Sequence, residues 1–496
     1  MKTAIKTRRA DNFADWYQEV IREADMAEHS GVRGCMIIKP WGFAIWERIQ
    51  RRLDDLIRAT GHHNVCFPLF IPIELFEREA KHVEGFAKEM AVVTHHRLVE
   101  RDGKLVPDAE LESPLIVRPT SETIFGEAMA KWIKSWRDLP LMLNQWCNIV
   151  RWEMRPRLFL RTSEFLWQEG HTAHATRDEA LEETRRMLEV YRQVVEDDMR
   201  MPVIRGTKTA HERFPGADDT HTIEAMMQDG RALQAGTSHF LGQNFARAAG
   251  IQFQDKDGEL RHAFTTSWGA STRLVGALIM THADDDGLRL PPIIAPSQVV
   301  IIPIARDDAA RAEVMPAAEA LARRLRGLRF RDEALRVDVD GRDDSGANKR
   351  WAAIKKGVPV IVELGPRDIA ANAVTYTRRD AIAEKHQGVG TDAFAAELPA
   401  MLGAIDAVLW DQAIAYREAN TIAGIKTYDD LAAHFRAESG TGFVHGKLDT
   451  EADLGDRLQK IGVTVRCLPY AQSGTSGSCL VTGRPATHDA VFAKAY

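Results

Sequence analysis

Cysteine is scarce in this chain, with five residues among 496 that are widely scattered and odd in number. A disulfide framework needs paired cysteines and an oxidising compartment, so isolated thiols fit a reduced environment better. The N-terminal segment, MKTAIKTRRADNF, has no apolar core long enough for a signal peptide. We therefore expect a cytoplasmic protein without structural disulfides.

Long apolar runs are also missing, because no stretch approaches the ~18 consecutive apolar residues of a membrane helix. We expect no membrane partner. An excess of one charge sign is missing too, since the formal net charge is only -6. This balance excludes a basic field over the whole surface, so an RNA partner has to meet a local basic face.

The length suggests roughly three domains at ~150 residues each. A proline-rich seam follows Leu290 and marks the first boundary. Before it, at 1–291, strands mix with helices without a regular βαβ alternation, which predicts an α+β domain. After it, 297–405 has a βαβ rhythm that predicts a small α/β domain with a largely parallel sheet. We expect the remainder, 406–496, to form a small α+β C-terminal domain.

Three elements of the first domain can be predicted in more detail. Apolar residues recur every four positions from Trp41 to Ile57, which indicates an amphipathic helix. The largely apolar run at 64–72 that follows predicts a strand. Thr176 and Glu179 form a capping box, so we expect a helix to begin at Thr176.

The most informative segment is 151–176, RWEMRPRLFLRTSEFLWQEGHTAHAT. Its guanidinium groups, among them those of Arg151 and Arg161, can bind phosphate oxygens bidentately and stay charged at any working pH. Its carboxylates and Trp167 can hold a small cation. The segment could therefore bind ATP at one end and an amino acid at the other, but a charged amphipathic hairpin on the surface fits the pattern equally well.

Three further segments add order and spacing to this motif. They are RPTSETI at 118–124, QAGTSHFLGQNF at 234–245 and SWGASTRLVGALIMTHADDDGLRLP at 267–291. Together with RWE…FLWQEGHTAHAT they resemble, nearly letter for letter, the class II prolyl-tRNA synthetases of the archaeal and eukaryotic type. The resemblance includes GCMIIKPWGFAIWE, HVEGFAKE and the terminal FAKAY. It covers essentially the whole chain.

This resemblance implies a ligase that forms prolyl-adenylate from L-proline and ATP and then transfers proline to the 3′ end of tRNA(Pro). It also implies an antiparallel sheet with flanking helices at 1–291, an anticodon-binding domain at 297–405, a homodimer, and a C-terminal tail against the catalytic domain. ATP is then a substrate, and phosphoryl chemistry implies Mg²⁺, for which no protein ligand can be assigned.

Positions that match the family motifs are the candidate site residues. The resemblance makes Arg151 and Arg273 catalytic, the first gripping the α-phosphate and the second stacking on adenine. The positions that match ATP contacts are Arg151, Glu153, Arg161, Thr162, Gln234, Thr237, Ser271 and Arg273. The positions that match the proline pocket are Thr120, Glu122, Arg151, Trp167, Glu169 and His239.

The chain departs from related sequences in two places. Bacterial-type relatives carry a large editing insertion, but here only about 90 residues separate Thr176 from Ser267. Archaeal-type relatives often bind zinc through four cysteines in the C-terminal unit, whereas here Cys479 keeps one of those positions and Thr482 replaces another. We therefore expect neither an editing domain nor structural zinc. The pair at 171 and 174 has a metal-like spacing without a third ligand, so we expect these histidines to be structural.

Alternatives remain open at this point. Another class IIa synthetase, of the threonyl or seryl type, would need a different amino-acid pocket. A catalytically silent paralogue that binds tRNA or senses amino acids would usually lack Arg151 or Arg273. For RNA contacts, the lysine-rich stretch at 349–356 beside Trp351 is the best candidate, because phosphate contacts and a stacking ring suit an unpaired loop.

Overall fold

The structure is a computed structural model that describes residues 4–78, 89–437 and 440–496. Of the segments that carry the resemblance, HVEGFAKE lies outside the described residues except for Glu89. Three units follow one another along the chain, and we take them in order.

The first unit contains most of the described elements. Its described helices are α1 (Phe13–Glu23), α2 (Pro40–Ala59), α3 (Ile73–Arg78), α4 (Glu122–Trp132), α5 (Arg177–Arg192), α6 (Asn244–Ala249) and α7 (Arg273–His282). Its described strands are β1 (Ala27–His29), β2 (Met36–Ile38), β3 (His63–Asn64), β4 (Phe70–Pro72), β5 (Ala91–Arg101), β6 (Lys104–Val117), β7 (Leu141–Val150), β8 (Glu164–His174), β9 (Val203–Thr207), β10 (Asp219–Met226), β11 (Ala232–Gly242), β12 (Gln252–Gln254), β13 (Leu260–His262) and β14 (Phe264–Ser271).

An antiparallel sheet organises this unit. Its strands lie in the order β9-β10-β11-β14-β8-β7, each antiparallel to its neighbour, and the short β3 adds in parallel at the edge. The expected α+β architecture is confirmed. A separate three-stranded sheet, β4-β6-β5, contains a long hairpin that the sequence did not predict.

The two predicted helices are confirmed. In α2 the residues Ile45, Ile49, Leu53 and Ile57 are all buried, as the four-residue spacing requires. In α5 the side chain of Thr176 accepts from the backbone of the third helical residue, whose own side chain accepts from the N-cap backbone.

The predicted strand at 64–72 is wrong, because the run crosses between two sheets. It contributes β3 to the large sheet and β4 to the small one, and residues 65–69 between them are not a strand. Their backbone is satisfied otherwise: Val65 N donates to the Asn144 carbonyl at 2.8 Å, and Phe67 N donates to the Gln145 side chain. Pro68 has no N–H to contribute to a ladder.

The second unit is an α/β domain. Its helices are α8 (Asp308–Arg326), α9 (Gly346–Lys355) and α10 (Pro366–Ala370). Its strands are β15 (Val299–Pro303), β16 (Arg329–Phe330), β17 (Glu333–Ala334), β18 (Val337–Val339), β19 (Val360–Leu364), β20 (Ala373–Arg378) and β21 (Lys385–Gly390).

The expected largely parallel sheet of this unit needs correction, because the sheet is mixed. In the order β18-β15-β19-β20-β21, the first three strands are parallel and the last two are antiparallel additions. The connection from β19 to β20 holds only the five-residue α10. A parallel crossover needs a dozen or more residues, so this connection cannot make one.

Part of the stretch predicted to meet RNA contacts the first unit. Lys349 is 3% exposed. Lys355 pairs with Glu23 at 2.7 Å, and Lys356 lies 5.3 Å from the ring centroid of Trp41. Lys355 and Lys356 thus contact side chains of the first unit, while Trp351 of the same stretch is 37% exposed, so RNA binding by this stretch stays a prediction.

One described helix, α11 (Thr391–Ala419), is long and apolar enough to cross a membrane by length and composition alone. Its Phe394, Leu398, Leu402 and Leu409 are buried in the main core cluster, which accounts for its apolar character. A single helix of this kind is weak support for a membrane span. The predicted boundary between 405 and 406 falls inside α11, so no loop marks it.

The third unit extends the large sheet of the first. Its described elements are α12 (Tyr428–Arg436), β22 (Thr421–Ile422), β23 (Phe443–Leu448), β24 (Thr464–Pro469), β25 (Gly477–Ser478), β26 (Pro485–Ala486) and β27 (His488–Ala493). The order β22-β23-β27-β24 joins β9 through β24, where Leu468 pairs with Thr207. Among the described residues the sheet therefore has eleven strands and spans both units.

The buried histidine of α7 generates a prediction about stability. His282 is buried and donates through Nε2 to the Met199 carbonyl at 2.8 Å. Burial lowers its pKa to about 4, whereas an unfolded histidine titrates near ~6.5. Between these values the unfolded chain binds a proton that the folded chain does not, so stability is lost as pH falls below ~6.5.

We expect this histidine alone to contribute about 2 kcal/mol to the loss of stability between pH 7 and pH 5. Urea unfolding midpoints at the two pH values measure it. His282→Gln should show a smaller drop than the unmodified protein, and His63→Gln, at an exposed position, should show the same drop. An undiminished drop in His282→Gln would contradict the assignment.

Candidate active site

Alternating residues of β8 line a cavity on one face of the large sheet. Phe165, Trp167, Glu169 and His171 are two positions apart and so share that face. All four line a cavity of about 270 Å³. The three aromatic side chains and the carboxylate of Glu169 therefore come from one strand, and the pleat of that strand fixes their spacing.

A bulge in β11 brings two more candidates to the same cavity. Thr237 pairs with Thr222, but Gln234 pairs with Glu224, so Ala235 has no partner across the ladder. Strict alternation would point Gln234 and Thr237 to opposite faces. Because of the extra residue, both line the cavity.

Arg151 lies directly after β7 and lines the cavity. Its Nε donates to the Pro119 carbonyl at 2.7 Å, and its guanidinium carbon lies 5.5 Å from the ring centroid of Trp167. Burial lowers the pKa of Arg151, and the carboxylates of Glu122 and Glu169 act in the opposite direction. The site thus holds a cation between two acidic side chains.

Glu169 is already well satisfied by the protein. One of its oxygens accepts from Ser121 and from Gln145 Nε2 at 3.0 Å, and the other lies 3.1 Å from His171 Nε2. Burial would raise the pKa of Glu169, but the hydrogen bond and charge of His171 and the bonds from Ser121 and Gln145 outweigh it, so the pKa is lowered. Glu169 therefore remains ionised at neutral pH.

Thr120 and Glu122 stand at the start of α4, and both line the cavity. The Thr120 hydroxyl donates to the Glu122 carboxylate. An anionic side chain in the first turn of a helix is stabilised by the helix dipole. Glu122 presents a carboxylate to the cavity that is bound by fewer protein donors than that of Glu169.

His239 closes another side of the cavity as a neutral ring. It stacks on Phe214 with ring centroids 4.6 Å apart, and its Nδ1 lies 3.1 Å from the Thr220 hydroxyl. Burial lowers its pKa to about 3, with His221 and His171 adding to the effect. His239 can therefore donate or accept a hydrogen bond without bringing a charge.

A second cavity, of about 400 Å³, adjoins the first. Its candidate residues are Arg151, Glu153, Arg161, Thr162, Ser271 and Arg273. Arg151, Phe165, Ser271 and Arg273 line both cavities and form their common wall. Two cationic residues thus stand where the two spaces meet.

The entrance of the second cavity holds an ion pair. Arg161 Nη2 lies 2.9 Å from Glu153 Oε2, and Glu153 also accepts from the backbone of Arg155 at 2.7 Å. Burial would raise the pKa of Glu153, but the Arg155 N–H and the charge of Arg161 lower it overall. The Arg161 side chain is 51% exposed, so this pair lies within reach of solvent and of a ligand.

Arg273 is the first residue of α7, as predicted from the sequence. Burial lowers its pKa, Arg161 and Arg466 lower it further, and Glu224 acts in the opposite direction. A cation at a helix N-terminus is not favoured by the helix dipole. Its position is therefore costly for the fold and is better explained by an anionic ligand.

The candidates predicted from the sequence thus come together, because each lines at least one of the two cavities. Gln234 and Thr237 line the first cavity only, although they were predicted as ATP contacts. The lining residues that the sequence missed include His171, Phe165, Glu212, Arg213, Phe214 and Thr220. The two-residue spacing from Trp167 to Glu169 was a signal that could have found Phe165 and His171.

The described residues contain no group of three or more His, Cys, Asp or Glu side chains that could hold a metal ion. Four Cys and His side chains lie after residue 440 and are the candidate zinc ligands of the third unit: Cys467 and Cys479 are buried, His445 is partly buried and His488 is exposed. Cys479 packs in the apolar core of the third unit. The prediction that this unit holds no structural zinc stays a prediction.

Comparisons with known proteins show which families the chain is similar to. A family model described as the tRNA synthetase class II core domain (G, H, P, S and T) matches residues 105–282, and one described as an anticodon binding domain matches residues 298–401. The chain is 54% identical over 497 residues to a protein from Paramagnetospirillum magneticum named proline–tRNA ligase, with 100% of this chain and 99% of the relative covered.

Two further relatives give the same picture. A protein from Anaeromyxobacter dehalogenans named proline–tRNA ligase 2 is 55% identical over 506 residues, and a proline–tRNA ligase from Protochlamydia amoebophila is 53% identical over 501 residues. In both cases 100% of this chain and 99% of the relative are covered.

Metal analysis tests the zinc prediction. Structural zinc needs four Cys or His ligands in a closed tetrahedron, and a threonine hydroxyl at 482 is a poor substitute for a thiolate. We expect protein purified without a histidine tag to hold well under one zinc per chain. One tightly held equivalent that is released only on unfolding would overturn the prediction, and Cys479→Ser would then have to abolish it.

Proposed function

The chain belongs to the proline–tRNA ligases, a family of class II aminoacyl-tRNA synthetases, and we propose how its two cavities divide the reaction. It activates L-proline with ATP to prolyl-adenylate and transfers proline to the 3′ end of tRNA(Pro). The observation that carries the division is the common wall: Arg151 and Arg273 line a small acidic cavity and an adjoining cationic one.

We assign the first cavity to proline. Glu122 binds the secondary ammonium, because its carboxylate points into the cavity with Thr120 as its hydrogen-bond donor. Trp167 forms an apolar wall for the ring, and His239 supplies a neutral polar contact. Glu169 is the second acidic partner of proline, and its carboxylate is held in place by His171 and Ser121. The proline carboxylate then faces Arg151.

We assign the second cavity to ATP, together with the part of the wall that both share. Arg151 grips the α-phosphate, so that the proline carboxylate and the phosphorus lie in line. Glu153, Arg161 and Thr162 contact the nucleotide, and Arg273 stacks on adenine and reaches the γ-phosphate. Ser271 completes the contacts from the end of β14, and Gln234 and Thr237 contact the part of ATP that extends past the common wall into the first cavity.

Magnesium would neutralise the phosphates during this chemistry, as it does in phosphoryl transfer generally. Glu153 lines the second cavity and fits the carboxylate that Mg²⁺ prefers. The other partners that we propose are a second copy of this chain, in a homodimer, and tRNA(Pro). A cytoplasmic location follows from those substrates.

We also propose the archaeal and eukaryotic type, without an editing insertion, and the division into 1–291, 297–405 and 406–496. Residues between Thr176 and Ser267 supply α5, β9, β10 and β11, which are parts of the catalytic sheet and its covering helix. That interval therefore has its own structural role and little room for another domain.

Proline-dependent ATP–pyrophosphate exchange tests the function. Proline should support exchange, whereas threonine and serine should not, which separates this reading from a threonyl or seryl enzyme. A silent paralogue would give no exchange with any of the three. Charging of tRNA(Pro) then tests the second half of the reaction.

The shared arginines provide the first prediction for the assay. Arg151→Ala should remove charge stabilisation of the transition state worth ~3 kcal/mol or more, and so lower exchange ~100-fold or more. Arg273→Ala should act similarly, with a larger effect on the KM for ATP. Arg247→Ala, at an exposed position on α6, is the matched control. Normal exchange in both site variants would sink the assignment.

The chain terminus provides the second prediction. Tyr496 lines the second cavity, its hydroxyl donates to Asp229 at 2.6 Å, and its N–H donates to the Ala232 carbonyl at 3.0 Å. Burial and the Asp229 carboxylate raise the pKa of Tyr496, so the phenol is a neutral donor. The tail thus lies against the catalytic unit, as the resemblance implied.

Deleting Tyr496 should raise the KM for ATP ~5-fold or more, a loss of the size expected for one hydrogen bond with its packing. The thermal unfolding midpoint should stay within about 2 °C, because a single terminal residue adds little to the core. Tyr496→Phe keeps the ring and should fall between the two proteins. Full activity after the deletion would mean that the tail is only a surface strand.

A further inference from the structure

Glu224 is a fully buried carboxylate on β10 that the assigned cavities do not use. It accepts from Lys208 Nζ at 2.7 Å and from Arg466, whose Nη2 lies at 2.8 Å and whose Nε lies at 3.0 Å. Lys208 is 3% exposed and Arg466 is 7% exposed. A buried charge is costly without its partners, so the three side chains form one unit.

These three side chains come from both sides of a junction. Lys208 follows β9 and Glu224 lies on β10, both in the first unit, whereas Arg466 lies on β24 of the third. Lys208 Nζ also donates to the Arg466 carbonyl at 2.7 Å. The ion cluster therefore fastens the third unit to the catalytic sheet where the two sheets become continuous.

The cluster also lies opposite the bulge of β11. Glu224 pairs with Gln234, and the next pair along the ladder joins Ile223 to Gly236, so Ala235 is the extra residue. The Thr222 hydroxyl donates to Glu224 at 2.9 Å, and Thr222 pairs with Thr237. The carboxylate is thus tied to the two positions that frame the bulge. That bulge is what turns Gln234 and Thr237 toward one cavity.

The cluster is within electrostatic reach of the shared wall. Burial is the main cause that lowers the pKa of Arg273, but the charge of Arg466 lowers it as well and that of Glu224 acts oppositely. A change in the balance of these two charges would therefore be felt at Arg273. Geometry and charge connect the third unit to the same cavity.

We propose that Arg466, acting through Glu224, is a positioning residue for ATP. It holds the β11 bulge in register and thereby keeps Gln234 directed into the cavity. The inference rests on the proposed function, in which Gln234 contacts ATP. A residue of the third unit then sets the affinity of the catalytic domain for its nucleotide.

Arg466→Met is the first test, because it keeps the length of the side chain and removes its charge and donors. The KM for ATP in proline-dependent exchange should rise ~5-fold or more, as expected for one lost hydrogen bond. The KM for proline should change less than about twofold, because Glu122, Trp167 and Glu169 lie on other elements and His239 pairs with Thr220, beyond the bulge. Arg466→Lys keeps the charge and should recover most of the ATP affinity.

Lys447→Met is the matched control, since it removes an ion pair with Asp489, 2.7 Å long, inside the third unit. It should leave both KM values unchanged. If Arg466 had only a structural role, Arg466→Met and Lys447→Met would both lower the unfolding midpoint. Neither variant would then change the KM for ATP more than the KM for proline. Equal rises in both KM values for Arg466→Met would overturn the proposal.

A double-mutant cycle with Gln234→Ala identifies the route of the effect. If Arg466 acts through Gln234, Gln234→Ala should raise the KM for ATP in the unmodified protein and add little in Arg466→Met. Equal rises in both backgrounds would overturn the proposal. If Arg466→Met does not fold, Glu224→Gln replaces it in the same cycle.

If the unmodified protein catalysed no ATP–pyrophosphate exchange, the proposed function would be contradicted but not this inference. Amide hydrogen exchange of the β11 segment then provides a measurement that does not depend on enzyme activity. Faster exchange at 232–242 in Arg466→Met, with no change in Lys447→Met, would support the positioning role. Equal protection in all three proteins would overturn it.

Discussion

Two cations held close together in a buried space are the constraint on which the rest of the site depends. Arg151 and Arg273 line the same wall, burial lowers the pKa of both, and the charge of Arg273 lowers that of Arg151 further. The carboxylates of Glu122 and Glu169 act against this repulsion at Arg151, and that of Glu224 does so at Arg273. A polyanion with several oxygens relieves it, which is the preorganised arrangement that stabilises developing negative charge.

Holding such charges in place requires a rigid framework, and the antiparallel sheet provides it. The β8, β14 and β11 strands are central and supply side chains to the cavity, β8 and β14 at intervals fixed by the pleat and β11 through its bulge, while Arg151 directly follows β7. Glu169 shows how the framework works. Its oxygens are bound by Ser121 from the start of α4, Gln145 from β7 and His171 from its own strand. The carboxylate therefore keeps its charge without moving.

The elements that the sequence predicted correctly are those with local signals. The four-residue spacing of α2 and the capping box of α5 depend on neighbours within a few positions, and both are found. The run at 64–72 failed because an apolar stretch does not reveal that Val65 and Phe67 pair with different partners than Phe70 does. The same limit hid the antiparallel strands β20 and β21.

The site residues show the same difference between local signals and long-range contacts. The candidates came from motif order, and they all line the two cavities. Motif order alone could not say that a bulge at Ala235 makes Gln234 and Thr237 neighbours on one face, because residues three apart in a regular strand point apart. It placed the tail against the catalytic domain but could not reveal where Tyr496 binds, because that depends on β27 pairing with β24 and on the tail reaching Ala232, over 260 positions earlier in the chain.

Because the large sheet continues into the third unit, this unit is held in a fixed position against the catalytic unit. A separate domain joined by a linker moves by default, because interfaces within a chain resemble transient ones. Here β24 adds a strand to β9, the tail pairs with Ala232, and Arg466 inserts a buried cation beside Glu224. Strand pairing of this kind fixes both distance and register, so the third unit cannot shift without disturbing β9 and β10. It is therefore part of the catalytic framework, and its sequence is constrained by the geometry of the site as well as by its own core.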